Sequence, residues 1–324
     1  MAAGKSQAGV RMLIEIDNMH LIPRSYLVRI LFAAGILLVG ICQKTFSETH
    51  HPIPIPSQSS QTTASNNKDK PLKLESEKTI GNITQISLNV SKNEINELVL
   101  KAIKEMPSGG GYATSSKAAI NFGKSIVITA GPKLRVTPEV AMPSYCSSAT
   151  YLVLMKVIKN LLELGKISID ENTLQKFLWK GQSDGVGVWG RWNANGPGAA
   201  RLFHELNAGE SFSDLSKALP GDFLKIWWTD EIGAKERGHL VVFLETRKNE
   251  KGEELIKFWS SNIPDGYGEK EVSLEKVKRM LFSRLSRPEG FESVTNLPNK
   301  DEFLASMLKE SFTIDEVKKM TGSN

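Results

Sequence analysis

Ser144-Tyr145-Cys146-Ser147-Ser148 opens an apolar run from Ala149 to Leu164. In it Leu152, Leu154, Val157, Ile158, Leu161 and Leu162 recur at the spacing of one broad helical stripe before Gly165 ends it. A helix with so wide an apolar face is central in its domain, and Cys146 stands at its N-terminus. A thiolate there is stabilised by the helix dipole and by free backbone N–H groups. The chain has two cysteines, Cys42 and Cys146, and Cys42 falls in an apparent export segment. An exported protein that keeps one unpaired thiol needs a reason for it, and nucleophilic catalysis is the reading favoured here over a buried, inert thiol.

The 324 residues suffice for one sizeable domain or two small ones, and 40% hydrophobic with 24% charged residues fits a globular protein. The net charge of +5 is spread along the chain. No basic block with interleaved aromatics is present, which argues against nucleic acid as a partner. A mild positive charge suits anionic envelope polymers.

Residues 1–47 read as an export signal whose stretch before the apolar core is unusually long, which points to Met12 or Met19 as the true start. Arg24 and Arg29 flank the start of the apolar core Ile30–Cys42, which is shorter than the roughly 20 residues of a membrane span. Thr45-Phe46-Ser47 offers small residues for cleavage. Leu38-Val39-Gly40-Ile41-Cys42 resembles a lipid-attachment box, with Ile41 where a small residue is usual. A lipid on Cys42 and an uncleaved anchor through residues 27–42 are therefore the alternatives to cleavage. The expected location is periplasmic, cell-envelope or secreted, with membrane contact only through this segment.

Residues 48–78, with Pro52, Pro54 and Pro56, read as a linker that cannot bury a core. Residues 79–140 read as a small subdomain or an N-terminal elaboration. They hold a strand at Ile83–Val90, a helix with Ile95, Leu98, Val99 and Ile103 on one face, a break at Ser108-Gly109-Gly110-Gly111, and a short helix with one or two strands after Ser115. Residues 141–285 read as the catalytic domain. After the central helix come a helix near Thr173–Trp179, a Gly-rich loop from Gly181 to Gly198, and a helix at Ala199–Leu206. Strands follow at Phe223–Trp228, His239–Glu245 and Leu255–Ser260, then a capped helix from Ser273. Residues 286–324 read as a helical C-terminal appendage.

After the linker only His204 and His239 can serve as base. His204 lies within a periodic helix, where a lone histidine is more often structural. His239 opens the apolar strand Leu240-Val241-Val242-Phe243-Leu244, where its ring can project at the sheet's rim. A helix-borne cysteine facing a strand-borne histidine is the pairing that lets imidazole take the thiol proton. A third group must then fix the ring's tautomer. A two-residue turn at Glu250-Lys251 sets Asn262 opposite His239, whereas a bulge at Gly252 would bring Ser261 or Ile263 there instead. Asn262 is the best polar orienter, with Ser260 and Asp265 as alternatives. The oxyanion would be held by the Cys146 N–H and one further donor, for which Ser144 and Tyr145 are the nearest candidates.

This ordered set resembles the NlpC-like cell-wall peptidases of the papain-like clan. Their pattern is a helix-starting Asp-Cys-Ser-Gly, a Pro-Gly-Asp turn into an apolar strand, a His-Val-Gly-like strand, and a polar residue on the next strand. Here the matching pieces are Cys146-Ser147, Pro220-Gly221-Asp222 with Phe223 to Trp228, Gly238-His239-Leu240-Val241, and Asn262, within residues 140–265. The resemblance implies an α+β, papain-like fold, with the cysteine helix packed on an antiparallel sheet that carries the histidine. It implies an exported thiol peptidase or amidase, without cofactor or metal, acting on peptidoglycan or a related envelope peptide. A non-catalytic binding module and a papain-like acyltransferase or transglutaminase are the alternatives. The chain departs from the pattern at Tyr145, where the family has an acid, and at Ser148, where it has glycine. The family's tyrosine-and-glycine motif shortly before the cysteine is missing, since Gly109-Gly110-Gly111-Tyr112 stands over 30 residues upstream.

The loop Gly185–Gly198 has two readings. As a cleft wall, Trp189 and Trp192 would stack on sugar or peptide and Arg191 would meet a carboxylate, with Tyr145 as a further substrate contact. As a structural loop, it would be pinned to the core by its tryptophans. Trp227-Trp228 reads as core.

Overall fold

The computed structural model describes residues 92–323. The export segment, the linker and the strand expected at Ile83–Val90 lie outside the described residues. Among the described residues no helix is long and apolar enough to cross a membrane.

In chain order come α1 (Lys92–Lys104), β1 (Gly109–Gly110), α2 (Ser116–Lys124), the hairpin β2 (Ile126–Thr129) and β3 (Lys133–Val136), and the long α3 (Cys146–Glu163). Next are α4 (Glu171–Leu174), α5 (Gly187–Asn193), α6 (Gly198–Glu205), β4 (Gly209–Phe212), β5 (Phe223–Trp227), β6 (Ile232–Gly233), β7 (Gly238–Lys248), β8 (Glu254–Asn262), β9 (Gly266–Ser273) and β10 (Arg279–Leu285). The chain ends with 3-10 turns over Pro288–Asn296, α7 (Glu302–Ser306), β11 (Ser311–Phe312) and α8 (Ile314–Thr321). The fold is mixed helix and strand around a large antiparallel sheet. That sheet has seven strands in the order β1-β9-β8-β7-β5-β10-β4.

Alternation in the strands divides the core in two. Phe223, Leu240, Val242 and Trp259 join the cluster that contains the buried stripe of α3, while Leu224, Ile226, Val241 and Phe243 pack on the opposite face. Two turns of α1, through Ile95 and Val99, and the hairpin residues Ile126 and Leu134 share the α3 cluster. Residues 92–141 are thus part of the same core as α3. The C-terminal segment is equally embedded. Phe291, Leu304, Met307 and Val317 are buried, β11 pairs with β6, and Arg201 Nε donates to Asp301 Oδ2 at 2.7 Å.

The Pro220-Gly221-Asp222 turn is fixed by a buried ion pair. Arg284 donates from Nε and Nη2 to the two Asp222 oxygens at 2.8 and 2.7 Å. Asn96 Nδ2 adds a bond at 2.9 Å and the Leu219 N–H one at 2.8 Å, so the turn ties α1 and β10 to the entry of β5. Gly221 has φ of 97°, and a Cβ there would stand 2.7 Å from the Asn96 carbonyl oxygen.

Two expectations are corrected. The helix expected from Ser273 is a single 3-10 turn, Leu274–Lys276, followed by β10. Because β10 lies between β5 and β4 with both faces covered, its apolar residues run on consecutively instead of alternating. The loop expected over Gly181–Gly198 contains the helix α5, with Val188, Trp189 and Trp192 buried.

The β7–β8 hairpin also closes differently from a two-residue turn. Lys248 pairs with Glu254, and Asn249 Oδ1 accepts the N–H groups of Lys251 and Glu253 at 2.9 and 3.0 Å, which makes a longer loop. That choice offsets the register by one residue. A bulge between Phe243 and Glu245 then restores it, so Phe243 pairs with Phe258 and Val242 with Trp259. Carried to the strand ends, the corrected register sets His239 against Asn262.

Candidate active site

Cys146 is the first residue of α3, and Tyr145 before it is extended, with φ −132° and ψ 166°. Ser148 Oγ accepts the Tyr145 N–H at 3.1 Å and donates to the Tyr145 carbonyl at 2.8 Å, so this serine fixes the helix entry. The ladder of α3 begins with the Ala149 N–H to the Tyr145 carbonyl at 2.9 Å, which leaves the N–H groups of Cys146 and Ser147 outside it. Ser144, an expected oxyanion donor, is buried with its hydroxyl 2.6 Å from that of Ser148. Its neighbour Tyr145 turns its ring to an edge contact with Trp189, centroids 6.4 Å apart.

The start of β7 and the end of β8 meet this helix terminus. Ser261 Oγ donates to the Ser144 carbonyl at 3.0 Å, which locks β8 to the segment that delivers the cysteine. His239 faces Cys146 closely enough to act on its thiol, and its Nε2 stands 3.1 Å from Asn262 Oδ1. Asn262 is itself held, because its Nδ2 donates to the Gly268 carbonyl at 2.8 Å. That bond fixes Oδ1 as the acceptor facing Nε2, so Nε2 carries a proton and Nδ1 faces the thiol.

Burial pushes the Cys146 thiol up. The hydrogen bond and charge of His239, the Leu240 N–H and the Lys225 ammonium outweigh it, and the thiol is lowered to about 7. A thiol in that range is substantially thiolate at neutral pH.

Sequence reasoning set Tyr112 aside as too distant, yet its phenol comes close enough to Cys146 for the two groups to interact. Burial and the neighbouring thiolate push the tyrosine well above its ordinary range, so it remains a donor. The chain closes the gap through backbone bonds. Ala113 N–H donates to the Ser144 carbonyl at 3.0 Å, Ser144 N–H to the Gly111 carbonyl at 3.2 Å, and Gly111 N–H to the Asp265 carbonyl at 3.0 Å. Gly109, Gly110 and Gly111 have φ of 72°, 85° and 75°, which side-chain-bearing residues rarely adopt. The triple glycine before Tyr112 was the signal in the sequence, since such a run permits close backbone approach.

A cavity of about 160 Å³ adjoins the thiol, lined among others by Ser147, Asn193, Gly196, Lys225 and Ser283. Lys225 Nζ lies 2.6 Å from Glu236 Oε1. Burial would raise the Glu236 carboxyl, but the charge and hydrogen bond of Lys225, with donors from Trp227 and Gly233, hold it below the usual range. Ser147 Oγ donates to Asn193 Oδ1 at 2.7 Å, which fixes the cavity wall to the helix start.

The chain is without a match among family models, curated proteins and solved structures.

The aromatic segment that could have lined a cleft is mostly core. Trp189 is buried against Phe122 and Tyr151, with centroids 4.3 and 5.2 Å away. Arg191 is fully buried, its Nε 2.7 Å from Glu205 Oε2 and its Nη2 2.9 Å from the Pro298 carbonyl. These contacts remove both side chains from a ligand's reach, against the cleft-wall expectation. Trp192 Nε1 donates to the Ser147 carbonyl at 3.1 Å, bracing α3, and its ring meets the cavity only at the wall. His204 is exposed on α6 beside Gly322, away from the thiol. Among the described residues no three of His, Cys, Asp and Glu gather to hold a metal ion.

Proposed function

We propose that the chain is an exported cysteine hydrolase of papain-like, NlpC-like arrangement that cleaves an amide bond in peptidoglycan or a related envelope peptide through a thioester. The observation that carries this reading is the convergence of Cys146, His239 and Asn262, with the thiol held near 7. In the reaction His239 takes the thiol proton and the sulfur attacks the carbonyl carbon. The resulting oxyanion is met by the Cys146 N–H at the helix start and by the Tyr112 hydroxyl. His239 then protonates the leaving amine, and water resolves the thioester with His239 as base. Asn262 keeps the ring in the tautomer that this cycle needs.

The test is alkylation by iodoacetamide across pH in the wild type and His239→Ala. The wild type should titrate near 7, and the variant should move up because burial of the thiol is then less opposed. Ordinary thiol behaviour near about 8.5 in both would end the activated-nucleophile reading. Digestion of purified peptidoglycan by wild type and Cys146→Ala then addresses the substrate class. Identical products from the two would remove the cysteine mechanism.

A further inference from the structure

We infer that the cavity beside Cys146 is a subsite for a small carboxylate carried by the substrate next to the scissile amide. The inference rests on the cysteine-hydrolase reading, and the donors and acceptors on the cavity wall carry it.

Glu236 supplies negative charge, but its oxygens are already engaged. Oε1 accepts from Lys225 at 2.6 Å, and Oε2 accepts from Gly196 N–H, Trp227 Nε1 and Gly233 N–H at 2.7, 2.8 and 3.0 Å. Three donors fully occupy Oε2, and Oε1 is committed to the Lys225 ammonium with one acceptor position left. Lys225 is the reverse case. Its ammonium carries three donors, of which Glu236 takes one, and it lines the cavity. Lys225 is held in place by Glu236, by the Trp227 ring 5.6 Å from Nζ, and by Gly238. A Cβ on Gly238 would stand 2.8 Å from Lys225 Cε and Nζ.

Two helix starts add donors of the same sign. The cavity is lined by Cys146 and Ser147 from the first turn of α3 and by Gly198, Ala199 and Ala200 from the first turn of α6. The ladder of α6 begins only at the Arg201 N–H, which donates to the Pro197 carbonyl at 2.9 Å. The cavity therefore offers the two remaining donors of an ammonium and the partial positive ends of two helices, against one carboxylate with a single acceptor position left. That balance selects an anion with acceptor oxygens. The cavity is small, about 160 Å³, which suits a short carboxylate-bearing group. It could be the terminal carboxylate of a chain end or the side-chain carboxylate of an internal acidic residue.

The experiment uses the reactive sulfur as reporter. Iodoacetate and iodoacetamide alkylate by the same step. The sulfur forms a bond to the CH₂ carbon, the C–I bond breaks, iodide leaves, and the thiol proton stays on His239. They differ in one carboxylate, so their rate ratio cancels changes in thiolate fraction. In Lys225→Met combined with Glu236→Gln, the iodoacetate-to-iodoacetamide ratio should fall at least about tenfold from the wild-type value. A ratio unchanged within about twofold overturns the inference.

Protection of wild-type Cys146 from iodoacetamide gives a second readout that needs no variant. N-acetylglycine carries a terminal carboxylate, the 1-amide of N-acetylaspartate a side-chain carboxylate, and N-acetylglycinamide none. Protection by the first alone assigns a chain end, and protection by the second an internal acidic residue. Protection by neither, or equal protection by the neutral compound, overturns the inference. An activated thiol without carboxylate preference would sink the subsite alone. Carboxylate preference on a thiol of ordinary pKa would sink the hydrolase reading instead.

Discussion

At Cys146 burial and polar partners act in opposite directions, and the partners win: the thiol falls to about 7. Folding stability follows the sign of that shift. The folded value lies below the roughly 8.5 of an unfolded thiol, so the thiolate's contribution is complete above the unfolded value and is lost as pH falls through about 7. Relative to Cys146→Ser, the wild type should therefore gain stability as pH rises from about 6 to about 9. Urea titrations at the two ends check this, and a difference that does not change with pH would contradict the depressed thiol. Tyr112→Phe separates two roles of its hydroxyl. If that donor serves the oxyanion, turnover should fall by about 10²-fold while alkylation by iodoacetamide changes little, because the oxyanion forms only in the reaction. Equal losses in both would make Tyr112 a partner of the resting thiol only. Cys146 and His239 were legible in the sequence because both residue types are scarce after the linker and each opens a strongly periodic element. Tyr112 and Lys225 were not. Lysine is common and Tyr112 is remote from Cys146 in the chain, and only tertiary contact through the triple glycine and the β5–β7 pairing brings them to the thiol.

Among the elements, β5, β7 and β8 announced themselves as short apolar runs bounded by turn residues, whereas β9 and β10 did not. β9 carries the consecutive charged residues Glu269, Lys270 and Glu271, which are exposed or half-buried, so its apolar signal is weak. β10 is buried on both faces, and a short continuous apolar run cannot be told from a helix by periodicity alone. The β7–β8 pairing was reached through a turn that the chain does not make, and the bulge between Phe243 and Glu245 cancels the error at the end that carries His239. Asp222 matters at this scale, because it closes the turn into β5 while pairing with Arg284 of β10 and Asn96 of α1. Asp222→Ala leaves the Arg284 guanidinium buried without its main partner, and should destabilise the protein by about 3–5 kcal/mol in urea unfolding. A loss near zero would mean that Arg284 finds solvent or Glu210 instead; Glu210 already lies 3.5 Å from its Nη1.

For the molecule as a whole, the question is whether the segment before the cysteine helix is an accessory to the site or part of its construction. Ile95, Val99, Phe122, Ile126 and Leu134 are all buried in the cluster that contains α3, and β1 adds the edge strand beside β9. A large apolar side chain contributes about 1.5–3 kcal/mol when buried, so these five account for on the order of 10 kcal/mol. That is comparable with the whole stability of a typical domain, about 5–15 kcal/mol. A chain beginning at residue 142 should therefore lack a cooperative unfolding transition and bind a hydrophobic dye such as ANS. It also lacks Tyr112 and the bonds from Gly111 and Ala113 that hold Ser144, so the helix start that carries Cys146 loses its backbone anchor. Its thiol should then alkylate as an ordinary cysteine near about 8.5. A shortened chain that unfolds cooperatively and keeps a thiol near 7 would make residues 92–141 an accessory to an independent catalytic domain.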